Sequence, residues 1–313
     1  TEPRVAWGVE SATVNAPQPR VSVLMAVYNE PPHRLRQAFE SLTAQTFADW
    51  RCELIDDGTE SRETISVIEQ AVALEPRVRW HREPHRGLTG SLNRGLELCD
   101  GEFVARHDTD DWSEPNRFER QTAFLQTSPE AVVGSSIWLH REDGAPLWVQ
   151  SHPADVMDAF PRMNPFCHGA TLFRRKAALE VGGYRADVRS AEDYDFFWRM
   201  CERFGGHNLA DPLYHFRFTR GSISSRLSGE QALHRAAVRR SASLRAEGRD
   251  DYEEALRQAA ADLGPDPELE AALTRADRWL LAGHSAPALR EFALWAARRP
   301  LRLRAWKKLA RAL

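Results

Sequence analysis

From Val21 to Asp111 the chain alternates short apolar runs with segments whose apolar residues recur at helical spacing, and this restricts the fold more than any other feature. Residues 21–27 are almost continuously apolar, as expected of a strand covered on both faces. Leu35, Ala38, Phe39 and Leu42 then share one face of a helix. The pattern repeats: a strand at 51–55, a helix marked by Ile65, Ile68 and Val72, a strand at 78–80, a helix marked by Leu88, Leu92 and Leu96, and a strand at 103–107. Such alternation predicts βαβ units and an α/β fold with a mostly parallel sheet flanked by helices.

In open sheets of this kind, ligands bind beyond the carboxyl ends of the strands. Three of the four strands end in polar clusters: Tyr28-Asn29-Glu30, Asp56-Asp57-Gly58 and Asp108-Thr109-Asp110-Asp111. Crowded carboxylates repel unless a cation or hydrogen bonds compensate. A hard divalent cation, Mn²⁺ or Mg²⁺, takes oxygen ligands and commonly combines one or two carboxylates with substrate phosphates. The same residues also suit plainer roles. The acidic run reads as a solvated turn before a helix, capped by Ser113 with Pro115 in its first turn, and Asp57-Gly58 reads as a turn. A further acidic group, Glu192-Asp193, opens a predicted helix over 191–204, where Ser190 and Asp193 have capping spacing or Asp193 faces a site as general base.

Between about 130 and 225 strand-like pieces (132–133, 137–139, 170–173) are mixed with that helix, and beyond about 228 the pattern is helical. Residues 1–19 read as an extended arm. The formal net charge of −3 gives no reason to expect a nucleic-acid partner. Four scattered cysteines without a CxxC pair suggest neither a disulfide framework nor a zinc site, and fit a reducing cytoplasm. No apolar run reaches the roughly 18 to 20 residues of a membrane span, and no signal peptide is visible.

Between Val21 and Ser225 the motifs and their order resemble those of family 2 glycosyltransferases of the GT-A fold: residues 23–30 as opening strand and donor loop, Ile55-Asp-Asp-Gly-Thr59, residues 86–95 with their Gly-Leu…Asn-x-Gly pattern, residues 101–111 as the DxD strand, and Gly182-Gly-Tyr184 followed by Glu192-Asp193. The resemblance implies a GT-A domain over 20–227, with a nucleotide-binding half (20–112) and an acceptor-side half (113–227), followed by a helical region over 228–313. It implies inverting transfer from a nucleotide-sugar donor, UDP before dTDP, to a hydroxyl of a glycan, a lipid-linked or a small-molecule acceptor. Ala26, Tyr28, Glu30, Asp57, Arg86, Gly87, Asn93, Arg106, Asp108 and Thr109 would line the donor pocket. Asp110 would hold the metal, Asp193 would be the catalytic base, and His168, Gly169, Glu192 and Trp198 would border the acceptor. The family's Arg-x-His segment reads Arg217-Phe-Thr219 here, so Thr219 stands where a metal-contacting His is expected; His215 is the nearest alternative.

Residues 291–313 hold seven basic side chains against Glu291, with Trp306, Leu309, Ala310 and Leu313 on one helical face. Such a helix fits the inner face of a membrane, its own domain or the mate in a homodimer. A nucleotidyltransferase and a nucleotide-sugar-binding scaffold without turnover remain as other readings. A nucleotidyltransferase should show a Gly-rich phosphate loop after the first strand, where this chain has Tyr28-Asn-Glu-Pro-Pro32. A dehydrogenase is disfavoured because no GxGxxG follows a strand.

Overall fold

The apolar runs become strands that hydrogen-bond into one sheet. The computed structural model describes residues 20–218 and 228–263. In chain order the elements are β1 (Val21–Val27), α1 (Pro32–Thr43), β2 (Trp50–Asp56), α2 (Arg62–Leu74), β3 (Val78–Arg82), α3 (Leu88–Leu98), β4 (Phe103–Arg106), β5 (Trp112–Ser113), α4 (Arg117–Thr127), β6 (Val132–His140), β7 (Pro146–Gln150), α5 (Val156–Ala159), a 3₁₀ turn (His168–Ala170), β8 (Leu172–Arg174), α6 (Arg175–Glu180), α7 (Glu192–Phe204), β9 (Gly206–Arg217), α8 (Ser228–Ala246) and α9 (Tyr252–Leu263). The arm, Thr219 and the basic segment 291–313 lie outside the described residues.

The sheet order is β3-β2-β1-β4-β8-β6-β9-β5, with β7 on the free edge of β6. The first four strands are parallel. β8 turns antiparallel between β4 and β6, so the second half of the sheet is mixed. Chain order reverses between β1 and β4, which is the switch point where an open α/β sheet binds its ligands. Residues 28–30 and 107–111 leave the sheet on the two sides of that point. Helices α1 and α2 bury Leu35, Ala38, Phe39, Leu42, Val67 and Ile68 with Val21, Val23 and Met25 of β1. Leu24 and Ile55 instead meet Leu92 and Leu96 of α3. Gly95 on α3 allows the helix that close approach, since an added Cβ would collide with the Leu24 side chain.

The strand β9 escapes a periodicity argument because Pro212 interrupts it. The structure accommodates the proline at a register shift between Leu209 and Pro212, a bulge that excuses its missing N–H. The expected caps also differ. Ser113 lies in β5 and accepts a hydrogen bond from Arg117 Nη1 (3.0 Å), and α4 starts at Arg117. Ser190 takes φ of 56° and makes no cap bond to α7.

The last helices pack onto α7. Asp195, fully buried, accepts from Arg199 Nε (2.7 Å) and faces Arg185 (3.6 Å) and Arg245 of α8 (3.9 Å). Arg245 also forks onto Glu202 of α7 at 2.7 and 2.9 Å. Among the described residues, no helix is long and apolar enough to cross a membrane.

Candidate active site

Tyr28 follows β1 with 51% of its surface exposed, high for an aromatic residue at the end of a buried strand. Its ring lies 4.4 Å from that of His85, tilted by 32°. Between Tyr28 and Glu30, Asn29 adopts a left-handed φ of 49°, a conformation Asn tolerates better than most residues. Its side-chain carbonyl accepts the N–H groups of Glu60 (2.9 Å) and Ser61 (3.1 Å), which ties the loop after β1 to the loop after β2. Ala26 is half-buried near the end of β1 and paired with Ile55.

Asp57 is placed at this site, but only 4% exposed. Its two oxygens accept the backbone N–H groups of Arg86 (2.7 Å) and Gly87 (3.0 Å), and His85 Nδ1 lies 2.9 Å from Oδ2. Its direct work is to hold the loop that carries His85, while Tyr28 and His85 present the exposed aromatic surface. The Arg86 side chain is half exposed and pairs with Glu83 (3.1 Å).

The loop after β4 rests on buried cations. Arg106, 1% exposed, donates from Nη2 to Asp108 Oδ1 (2.5 Å) and from Nη1 to the His107 carbonyl. It therefore supports Asp108 from beneath. Arg117, fully buried, donates to the carbonyls of Arg106 (2.8 Å) and Thr171 (2.9 Å), and burial lowers its pKa to about 10. The Asp108 N–H donates to Tyr214 Oη (3.0 Å). Thr109 is buried, and Asp111 uses Oδ1 to accept the Arg217 N–H (2.7 Å), anchoring β9.

Asp110 and Glu30 are the strained carboxylates. Burial, then the charge of Asp108, raises Asp110 to about 6. Burial, then Asp110, raises Glu30 to about 7. Arg34 lies 3.7 Å from Glu30, yet buried Oε1 receives no hydrogen bond from the described residues. Arg217 donates from Nε to the Asp110 carbonyl (3.0 Å). These residues fit a divalent cation: the donors are hard oxygens, one is an orphaned buried carboxylate oxygen, and their repulsion falls when a cation arrives. Among the described residues no group of three or more His, Cys, Asp or Glu could hold a metal unaided.

His215 does not join this set. Its Nε2 pairs with Glu114 (2.9 Å), its Nδ1 with His140 (2.9 Å), and its ring stacks on Trp112 at 4.8 Å. Both ring nitrogens are thus committed within the protein.

On the acceptor side, Glu192 and Asp193 occupy the first turn of α7. Glu192 is raised to about 7 by burial and then by Asp193, and it also feels Arg106 and Asp108 across the crevice. Asp193 accepts from Asn164 Nδ2 at Oδ2 (2.9 Å) and from the Tyr194 N–H at Oδ1 (2.8 Å). His168 pairs through Nε2 with Tyr184 Oη (2.9 Å); burial and the nearby Arg106 charge hold it well below its usual range, and so neutral. Gly169 must be glycine: an added Cβ would stand 2.6 Å from Asp108 Oδ2 and collide with Tyr214 Oη.

Two of the expected contact residues also serve the frame. The Asn93 amide clamps the Tyr184 backbone, Nδ2 donating to its carbonyl (2.8 Å) and Oδ1 accepting its N–H (2.9 Å). Trp198, 7% exposed, packs against Phe160 (5.2 Å) and Tyr194 (5.4 Å) in the core. Sequence reasoning named Arg217 only as part of the Arg-x-His segment and missed His85, Asn164, Tyr214 and Arg34. Of these four only Arg34 had a local signal, its i,i+4 spacing from Glu30.

The family model for glycosyl transferase family 2 matches residues 22–183, a little over half of the chain. The chain belongs to that family. The amylovoran biosynthesis glycosyltransferase AmsE of Erwinia amylovora is 34% identical over 212 residues, covering 66% of this chain and 79% of the relative. Among solved structures, the mannosyltransferase PcManGT of Pyrobaculum calidifontis, in complex with GDP-Man and Mn²⁺, superposes with a TM-score of 0.57 at 17% identity, covering 94% of this chain and 79% of the other. TarS 1-349 of S. aureus, in complex with UDP-GlcNAc, superposes with a TM-score of 0.56 at 14% identity, covering 90% and 92%. These neighbours share the α/β fold, and membership of family 2 makes glycosyl transfer the activity of this transferase.

Proposed function

We propose that this transferase moves a sugar from a nucleoside-diphosphate donor, UDP-linked before GDP-linked, to an acceptor hydroxyl, inverting the anomeric carbon in one displacement. The observation that carries this reading is electrostatic. Glu192, at the start of α7, feels the charges of Asp108 and Arg106 at the end of β4, so acidic groups far apart in sequence lie in one neighbourhood. Tyr28 and His85 form the surface for the base, and Asp57 holds their loop in place. Asp108 and Asp110, with Glu30 behind them, receive the diphosphate end and its cation. Bound there, a divalent cation supplies the positive charge that lowers the cost of a departing diphosphate. Arg34 and Arg217 stand beside the same carboxylates and keep residual negative charge in check. Asp193 takes the acceptor proton as the acceptor oxygen forms its bond to the anomeric carbon and the donor's sugar–phosphate bond breaks. Glu192, raised to about 7 by burial and then by Asp193, would share a hydrogen bond with the acceptor.

A melting-temperature screen of UDP-sugars and GDP-mannose, each with and without Mn²⁺, tests this. A ligand of the folded state raises the midpoint by mass action. The expected result is a rise with one donor that needs the cation and is lost in Asp110→Ala. Equal rises with and without Mn²⁺ in both proteins would remove Asp110 from the metal role.

A further inference from the structure

We infer that Asn164 is the positioning residue for Asp193, its amide N–H fixing the carboxylate's direction and favouring its charged form; this rests on Asp193 being the base. The Asn164 orientation is dictated by its surroundings. Its Oδ1 accepts the Phe166 N–H at 3.1 Å, so its NH₂ must face Asp193, where it donates to Oδ2 at 2.9 Å. A carboxylate's terminal torsion is broad and roughly two-fold, so an aspartate on a helix needs an external donor to select one direction. The Tyr194 N–H supplies the contact from within α7, at Oδ1. Asn164 supplies one from a different part of the chain.

The loop carrying Asn164 is itself held. Asn208, 2% exposed, donates to the carbonyls of Pro153 (2.9 Å) and Pro165 (3.0 Å). Phe166 packs against Phe160 and Phe197 at 6.1 and 5.3 Å. Pro165 restricts Asn164 to extended backbone, which keeps the loop from winding away. The donor reaching Asp193 is therefore rigid.

The choice of an amide has a chemical reason. Glu192 is a like-charged neighbour of Asp193, and Tyr184 and Tyr194 also lie within its electrostatic reach. Arg106 and Asp108 act from beyond Glu192, and Arg235 and Arg239 of α8 from beyond Tyr194. The Asn164 amide is a neutral donor that offsets part of the repulsion from Glu192.

The test follows the carboxyl ¹³C resonances of the Asp-labelled full chain through a pH titration, with Asp193 assigned by its absence in Asp193→Asn. In Asn164→Ala the Asp193 midpoint is expected to rise by about one unit, because a bond favouring the charged form is lost. Asn164→Asp keeps the shape and the acceptor for Phe166, but sets a second carboxylate against the first. The pair should then titrate in two steps, the upper one higher still. An Asp193 midpoint unchanged in both variants overturns the inference and leaves the base assignment intact. Wild-type sugar transfer by Asp193→Asn removes the base itself.

Discussion

The donor half and the acceptor half of the crevice treat their carboxylates in opposite ways. At the end of β4 and beside it, Asp110 and Glu30 are half-buried and mutually repelling, and one Glu30 oxygen lacks a hydrogen-bond donor among the described residues. At the start of α7, Asp193 has a donor on each oxygen. A carboxylate meant to meet a cation gains from being held short of partners, because the arriving charge relieves it. A carboxylate meant to accept a proton must stay charged and aimed before substrate arrives, so the protein supplies its partners in advance. Glu192 lies between the two regimes, raised to about 7 yet within reach of Arg106.

The largest effect that could break this contrast is at the base. Asp193→Asn should lower transfer by about 10²- to 10⁴-fold while nucleotide affinity by calorimetry stays at the wild-type value. Retained turnover would erase the distinction between the halves.

Next comes the cost of the crowded half. Glu30 is raised from 4.5 to about 7 in the folded chain, with its side chain 17% exposed. Its contribution is therefore present below pH 4.5 and lost as pH rises through about 7, by up to about 3 kcal/mol. Glu30→Gln should make the metal-free protein more stable at pH 8 and leave it unchanged at pH 4.5, measured by urea unfolding. An identical pH dependence in the variant would show that Glu30 is not strained.

The smallest expected effect on binding sharpens the boundary between site and frame. Asn93→Ala should lower stability by about 2 kcal/mol, since the Tyr184 N–H and carbonyl lose their partners, with no change in nucleotide affinity. A clear loss of affinity would return Asn93 to the donor pocket.

The contrast also explains what could be read from the residues alone. The four parallel strands and their acidic ends were legible because a strand buried on both faces is continuously apolar and its loop abruptly polar. The mixed half was not, because β9 carries Pro212 and alternates polar residues along its length. Asp110 and Asp193 could be singled out by residue type and order. The framework contacts of three candidate residues were hidden for one reason: their partners lie on other elements or depend on burial. Asn93 meets the backbone of Tyr184, Arg106 lies under Asp108 because β4 is buried, and Trp198 faces Phe160 on another element. Asn164 carried no local signal, since its role appears only when residue 193 is beside it.

The guanidinium cage around Asp195 ties the end of the described chain to its chemistry. Asp195 stands two positions after the proposed base, shut away from water, and one of its three cations comes from α8. Removing α8 would leave a sealed anion short of compensation inside the very helix that presents Asp193. Helix α8, which looks like an appendage along the sequence, thus acts as a buttress for the helix that carries Asp193.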